Sequence, residues 1–184
     1  MRCSTSWIAL LLLLIVGCDA PPTDPASTPP VIAPEVRTLQ WDELMPADFD
    51  PGEPFKDMDI ASLVDDDPRA QELMAQLRVL WDAAPVVTAL DGLRVRLPGF
   101  VIPLDMEGEQ VSQFLLVPFY GACIHVPPPP ANQTVLVIAP AGGVRIRQTF
   151  ETVWVTGRLS AQSADTALAK AGYTLTATQI QPYP

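Results

Sequence analysis

The chain is expected to fold as a mainly β domain: a small OB-like barrel with one or two helices and an irregular N-terminal arm. Three observations lead there. Apolar and polar residues alternate in several short runs after residue 92. Glycine recurs inside and between those runs, where a barrel strand must bend. Helical spacing is clear only over residues 68–83, with a second short helix expected inside 160–172.

The first segment lies outside the domain. MRCSTSWIALLLLLIVGC has a basic residue, Arg2, then an apolar run from Trp7 to Val16, then Gly17-Cys18. That is the pattern of a signal peptide, residues 1–17, and the run is too short for a comfortable membrane span. Ile15-Val16-Gly17-Cys18 resembles a bacterial lipobox, which makes Cys18 the expected site of lipidation. Several acyl chains at roughly 0.8 kcal/mol per CH₂ would hold the protein on a membrane. Asp19 favours retention at the inner membrane. The expected location is therefore the bacterial cell envelope, on the periplasmic side and lipid-anchored.

Residues 18–38 carry that Cys and a stretch rich in Pro, Ser, Thr and Ala. Such a segment buries too little apolar area to fold and is expected to act as a tether. Extended, it would reach on the order of 50 Å. The domain is expected over 39–184. Its arm, 39–67, holds Trp41, Leu44, Met45, Phe49, Phe55 and Met58 among turn formers, and should lie on the barrel through these side chains. Asp65, Asp66 and Asp67 read as a solvated run that caps the next helix, with Pro68 in its first turn. In PRAQELMAQLRVLWDA, residues 68–83, Leu73, Leu77, Leu80 and Trp81 form one apolar face, and Pro85 ends the helix.

Strand patterns follow. In 86–104, Leu93, Val95 and Leu97 alternate with Arg94 and Arg96, and Pro98-Gly99 predicts a bulge or sharp bend. DMEGEQ, residues 105–110, with Gly108, is a hairpin connection. Further runs lie at 112–120, 134–140, 144–159 and 172–180, with a tight turn at Gly142-Gly143. Gly172 is expected to close the short second helix. The order V-x-L-P-G-F-V, F-L-L-V-P-F, V-W-V-T-G-R-L and Y-T-L-T-A-T-Q-I looks like the OB-fold pattern. A β-sandwich is the competing architecture.

Charge and cysteine content narrow the function. Eleven Lys and Arg against 21 Asp and Glu give a net charge of −10. That argues against nucleic acid as a partner, since such affinity comes mostly from cations neutralising phosphates, and against a broad electrostatic grip on anionic lipid. There are three cysteines and one histidine. Cys3 leaves with the signal and Cys18 is lipidated, so Cys123 stands alone with no intrachain disulfide available.

Cys123 sits two residues before His125, the one histidine, and Pro127, Pro128, Pro129 and Pro130 follow. On extended backbone, residues i and i+2 share a side, so Cys123 and His125 can reach one metal ion. Zinc wants about four ligands, which two chains could supply together as a homodimer. Copper(I) needs only two or three soft ligands. A second reading is a docking loop: the prolines form a polyproline II ledge with no N–H donors, and Asn132 adds a polar contact. A third is a thiol enzyme with Cys123 as nucleophile and His125 as base, although no catalytic signature surrounds the pair. The plainest is a packed corner, with Cys123 buried and His125 bonded to a backbone carbonyl. Glu107 and Glu109 read as solvated turn residues.

Four segments together carry a family resemblance: Trp41-Asp42-Glu43-Leu44-Met45-Pro46; Ala84-Pro85-Val86-Val87; the run from Leu97 to Leu104; and above all FLLVPFYGACIHVPPPPANQ, residues 114–133. Over roughly residues 39–183 the chain resembles a family of bacterial lipoproteins and periplasmic proteins catalogued as domain of unknown function 3299. The resemblance implies association with ABC-type export systems and zinc-responsive genes, and no settled activity. The expectation is a non-enzymatic, membrane-anchored accessory module. It would bind metal or a partner through the Cys123–His125–tetraproline loop, and an ABC transporter subunit is the expected partner.

Overall fold

A strand that is buried on one face at its start and on both at its end organises the domain. β2, Arg94–Pro103, is a continuous ten-residue strand. Val95 and Leu97 are fully buried, so the predicted alternation with Arg94 and Arg96 holds. Leu93 breaks it and is exposed. The computed structural model describes residues 35–53, 56, 67–105, 109–122 and 128–184. Residues Pro34–Pro184 form one compact unit.

Along its first seven residues β2 pairs antiparallel with β7, Thr152–Ser160, and from Phe100 to Pro103 with β4, Gln113–Val117. β4 pairs antiparallel with β5, Val135–Ile138. β5 pairs parallel with β10, Tyr173–Pro182, and β10 pairs antiparallel with β7. The circuit β2-β4-β5-β10-β7-β2 is closed. This is a five-stranded barrel with the strand order of an OB-fold, and the expected fold class stands. The short β1, Arg37–Thr38, adds parallel to β2. Two further two-stranded sheets lie outside the barrel: β3, Gln110–Val111, with β6, Val144–Arg145, and the hairpin β8, Ala164–Asp165, with β9, Lys170–Ala171.

The interior holds Val95, Leu97, Val101, Phe114, Leu116, Val135, Val137, Val155 and Leu175, with Leu39 and Leu44 of the arm. No bulge or register shift occurs at Pro98-Gly99. Gly99 is small for a different reason: a Cβ there would lie 2.7 Å from Leu116 Cγ and 2.9 Å from the Val117 carbonyl oxygen. The register shift lies in β10, between Ala177 and Gln179. The Gly142-Gly143 turn forms as expected, both residues having positive φ.

A second apolar cluster lies on the outer side of the same strands. Ile102, Leu115 and Val117 are buried there under Ala122, Phe150, Ala169 and Ala171. The face that OB barrels commonly offer to ligands, that of the second and third strands, is thus filled by the chain's own loops. The expected second helix is absent from 160–172; β8 and β9 stand in its place. Thr166 explains the turn: its Oγ1 accepts the N–H of Ala169 at 3.1 Å and donates to the Ala169 carbonyl at 2.6 Å. Small alanines at 169 and 171 then fit against the barrel.

The arm is anchored by polar bonds as well as by Leu39 and Leu44. Trp41 Nε1 donates to the Pro98 carbonyl at 2.7 Å. The fully buried Tyr173 donates its hydroxyl hydrogen to the Leu44 carbonyl at 2.8 Å and accepts the Val87 N–H at 2.6 Å. Helix α1 spans Pro68–Asp82, capped by Asp67, whose carboxylate accepts the Arg69 N–H. None of its residues is fully buried: Leu73, Leu77 and Trp81 are half-buried, and Leu80 is exposed. Phe55, Met58, Asp65, Asp66, Glu107 and Gly108 lie outside the described residues. Glu109 is exposed and forms an ion pair with Arg145.

Candidate functional site

The candidate loop joins β4 to β5. Cys123, His125 and Pro127 lie outside the described residues, as does Cys18. The structure therefore gives the frame around the loop. On the entering side, Phe119 and Tyr120 are exposed, 46% and 73%, and Ala122 is fully buried in the outer cluster. On the leaving side, Pro128 is half-buried, and Pro129 and Pro130 are buried. The exposed ledge expected of the tetraproline therefore does not extend to Pro129 and Pro130.

The next four residues are a knot of side-chain bonds. Ala131–Gln133 form one 3-10 turn. Asn132, fully buried, donates from Nδ2 to the Pro85 carbonyl at 2.9 Å. Gln133 donates from Nε2 to the Trp41 carbonyl at 2.8 Å. Thr134, also fully buried, has its Oγ1 3.4 and 3.3 Å from the carbonyls of Pro129 and Pro130. Gly172 backs the turn: its N–H donates to the Ala131 carbonyl at 2.7 Å, and a Cβ would lie 2.7 Å from the same oxygen. Three consecutive side chains thus tie the loop's exit to the segment before β2, to the arm and to the prolines themselves. Asn132 is a framing residue here. Its Oδ1 is buried without a partner among the described residues.

Aromatic packing frames the entrance. Tyr120 lies 4.7 Å from Phe150 and 6.2 Å, edge-on, from Phe100. Phe150 has φ 64°, a backbone region that costs a bulky residue about 1–3 kcal/mol. It is held there by its N–H bond to the Val101 carbonyl at 2.7 Å and by burial of its ring. An open cleft of about 320 Å³ lies beside the exit turn, lined by Ala84, Pro85, Ala131, Lys170 and Gly172 among others.

Among the described residues no group of three or more His, Cys, Asp and Glu converges in metal-binding geometry. Burial pushes the Tyr173 phenol above its ordinary pKa of 10.0, partly offset by the Val87 N–H. The sequence marks Asn132 and Gln133 as the polar side chains that begin the next strand; it does not mark Thr134, which fixes the loop's exit, or Tyr173, which ties the arm to the segment before β2. For Thr134 the signal was its place in a polar run, N-Q-T, directly after an apolar and proline-rich one. No helix among the described residues is long and apolar enough to cross a membrane.

Comparison with known proteins places these features in a family setting. A family model described as a protein of unknown function (DUF3299) matches residues 41–182. The crystal structure of a DUF3299 family protein from Pseudomonas aeruginosa PAO1 is similar at 37% identity and a TM-score of 0.64. The match covers 82% of this chain and 97% of that one. No curated protein matches the chain.

Proposed function

The chain belongs to the DUF3299 family over residues 41–182, and from the frame around its β4–β5 loop we propose a membrane-anchored, periplasmic accessory module that binds a metal ion through Cys123 and His125. One observation carries the reading: the loop leaves a buried Ala122 and returns into two buried prolines and the Asn132–Gln133–Thr134 knot. A short loop with both ends fixed loses little conformational entropy when its donors close on an ion. A thiolate and an imidazole suit copper(I) as a two-coordinate pair, or zinc shared by two chains. Lipidation at Cys18 supplies the anchor, and an ABC-type transport system is the setting the module serves.

The test is a titration of residues 38–184, purified reduced and chelator-free, with Zn²⁺ and Cu⁺, beside the Cys123→Ala/His125→Ala double variant. Tight binding to the parent that the variant loses supports the reading, and stoichiometry separates one chain per ion from two. Equal or absent binding in both proteins refutes it.

A second reading has its own support, because Phe119 and Tyr120 present two large aromatic side chains to solvent at the loop's entrance. In that reading the loop docks a transporter subunit without metal. Tyr120→Ser would then abolish capture of the subunit while metal content stays unchanged.

A further inference from the structure

The barrel's outer surface has a second face of opposite character. Where β2, β7 and β10 pair, residues directly across from one another share a side of the sheet. Arg94 lies opposite Arg158, Arg96 opposite Thr156, and Trp154 opposite Gln181. The face therefore carries Arg94, Arg96 and Arg158 together with Trp154 and, just beyond β10, Tyr183. Arg96 stacks its guanidinium over Trp154, 4.3 Å from the ring centroid, and Tyr183 stacks on the same indole at 5.3 Å. The Tyr183 N–H is fixed to the Thr152 carbonyl at 2.9 Å. None of the three arginines has a carboxylate partner among the described residues. Every ion pair there uses Arg37, Lys56, Arg69, Arg145 or Lys170. Arg96 Nε is buried without a hydrogen-bond partner among the described residues. The carboxylate at the end of this face, Asp91, is engaged by the Ser160 hydroxyl and the Ala161 N–H.

We infer that this arginine–tryptophan–tyrosine face seats the domain on an anionic phospholipid surface. Two arguments select that occupant. First, the charges are complementary: two adjacent arginines on β2 and one on β7 face the same way and make a local cationic patch, although the chain as a whole carries a net charge of −10. Interfacial Trp and Tyr suit the headgroup layer, and Arg reaches phosphate oxygens. Second, the chain outside the described structure arrives beside this face. Its 34 preceding residues lead into β1, whose Thr38 pairs with Arg96. On the tethered reading, on which the in-cell consequence rests, that segment runs from the bilayer.

The test uses residues 34–184 without any lipid anchor, so its failure is distinct from failure of the anchor. The domain encloses its own core, and a crystallised family member matches 82% of this chain over 97% of its own length. Sedimentation with vesicles of phosphatidylethanolamine containing roughly one-third phosphatidylglycerol should show binding that falls as salt rises from about 0.05 to 0.3 M. A near-surface arginine is worth about fivefold in partitioning. Arg94→Gln/Arg158→Gln should therefore lose roughly 25-fold. Arg78→Gln/Arg147→Gln, with the same charge change on other elements, should lose far less. Absence of binding at low salt would overturn the inference. So would equal losses in the two double variants, or unchanged binding to vesicles of phosphatidylethanolamine and phosphatidylcholine alone.

Discussion

Replacing Tyr173 by Phe removes one oxygen and leaves the ring. Because the ring volume is kept, no cavity opens and the cost isolates the hydroxyl. That hydroxyl satisfies two backbone groups, the Leu44 carbonyl at 2.8 Å and the Val87 N–H at 2.6 Å. Leu44 is fully buried, so its carbonyl finds no water when the bond is lost. Val87 is half-buried and recovers some hydration. With roughly 1–3 kcal/mol for each unsatisfied buried group, the deeper carbonyl at the upper part of that range and the N–H at its foot, the loss should be about 2–4 kcal/mol. In a domain of this size that lowers Tm by roughly 5–12 °C. Urea unfolding followed by circular dichroism at neutral pH gives the free energy, and the m-value should stay unchanged. A second signature comes from ionisation. Burial raises the Tyr173 pKa above 10.0, so the neutral phenol's contribution is complete below that value and fades as pH rises through the folded pKa. The parent should lose stability in alkali through this group, and Tyr173→Phe should lack that component. A loss below about 0.5 kcal/mol at neutral pH would refute the claim that this hydroxyl pins the arm to the barrel.

Other outcomes follow from single contacts. Gly172→Ala places a methyl 2.7 Å from the Ala131 carbonyl; it should cost about 1–3 kcal/mol in urea unfolding and change the alkylation rate of Cys123 by displacing the exit turn. Asp67→Ala removes the cap of α1. Hydrogen exchange should accelerate in that helix, by about 1 kcal/mol in opening free energy, and leave the barrel strands unaffected. The Ser112 hydroxyl, followed by the Gln113 N–H, holds the Asp105 carboxyl below its usual 3.8. That carboxylate therefore adds stability above pH 3.8 that is lost as pH falls through its lower folded pKa. Ser112→Ala should raise the Asp105 pKa in a carbon-13 NMR titration and move acid unfolding to higher pH.

The barrel was legible because its inner positions obey a two-residue period: Val95 and Leu97 in β2, Val153 and Val155 in β7, Tyr173 and Leu175 in β10. α1 was legible because Asp67 and Pro68 mark its start. The β8–β9 hairpin was not, since S-A-D-T-A-L-A-K-A favours helix locally, and only the shape of the outer apolar face selects strands for Ala169 and Ala171. Pro98-Gly99 suggested a break because both residues weaken strands, but proximity to Leu116 is not visible along one strand. The outer cluster had a signal: FLLV in β4 is apolar without alternation, as a strand covered on both faces must be. In the candidate loop, sequence alone singled out Cys123 and His125. The fixing of the loop's ends depends on Pro85, Trp41 and Gly172, which are distant in sequence, and no local pattern reports them.

The last strand of the barrel has two partners, β5 on one side and β7 on the other. Until β10 is in place, the sheet formed by β5, β4, β2 and β7 has two open edges. Each presents unpaired backbone groups to any passing chain. Synthesis from the N-terminus leaves that condition in force until nearly the whole domain has emerged. The pairing that ends it joins residues far apart in sequence, which makes barrel closure slow. Loss of β10 would therefore do more than remove Tyr173 and Leu175 from the interior: it would leave both edges of the sheet open, and the failure would be aggregation of an unfinished sheet.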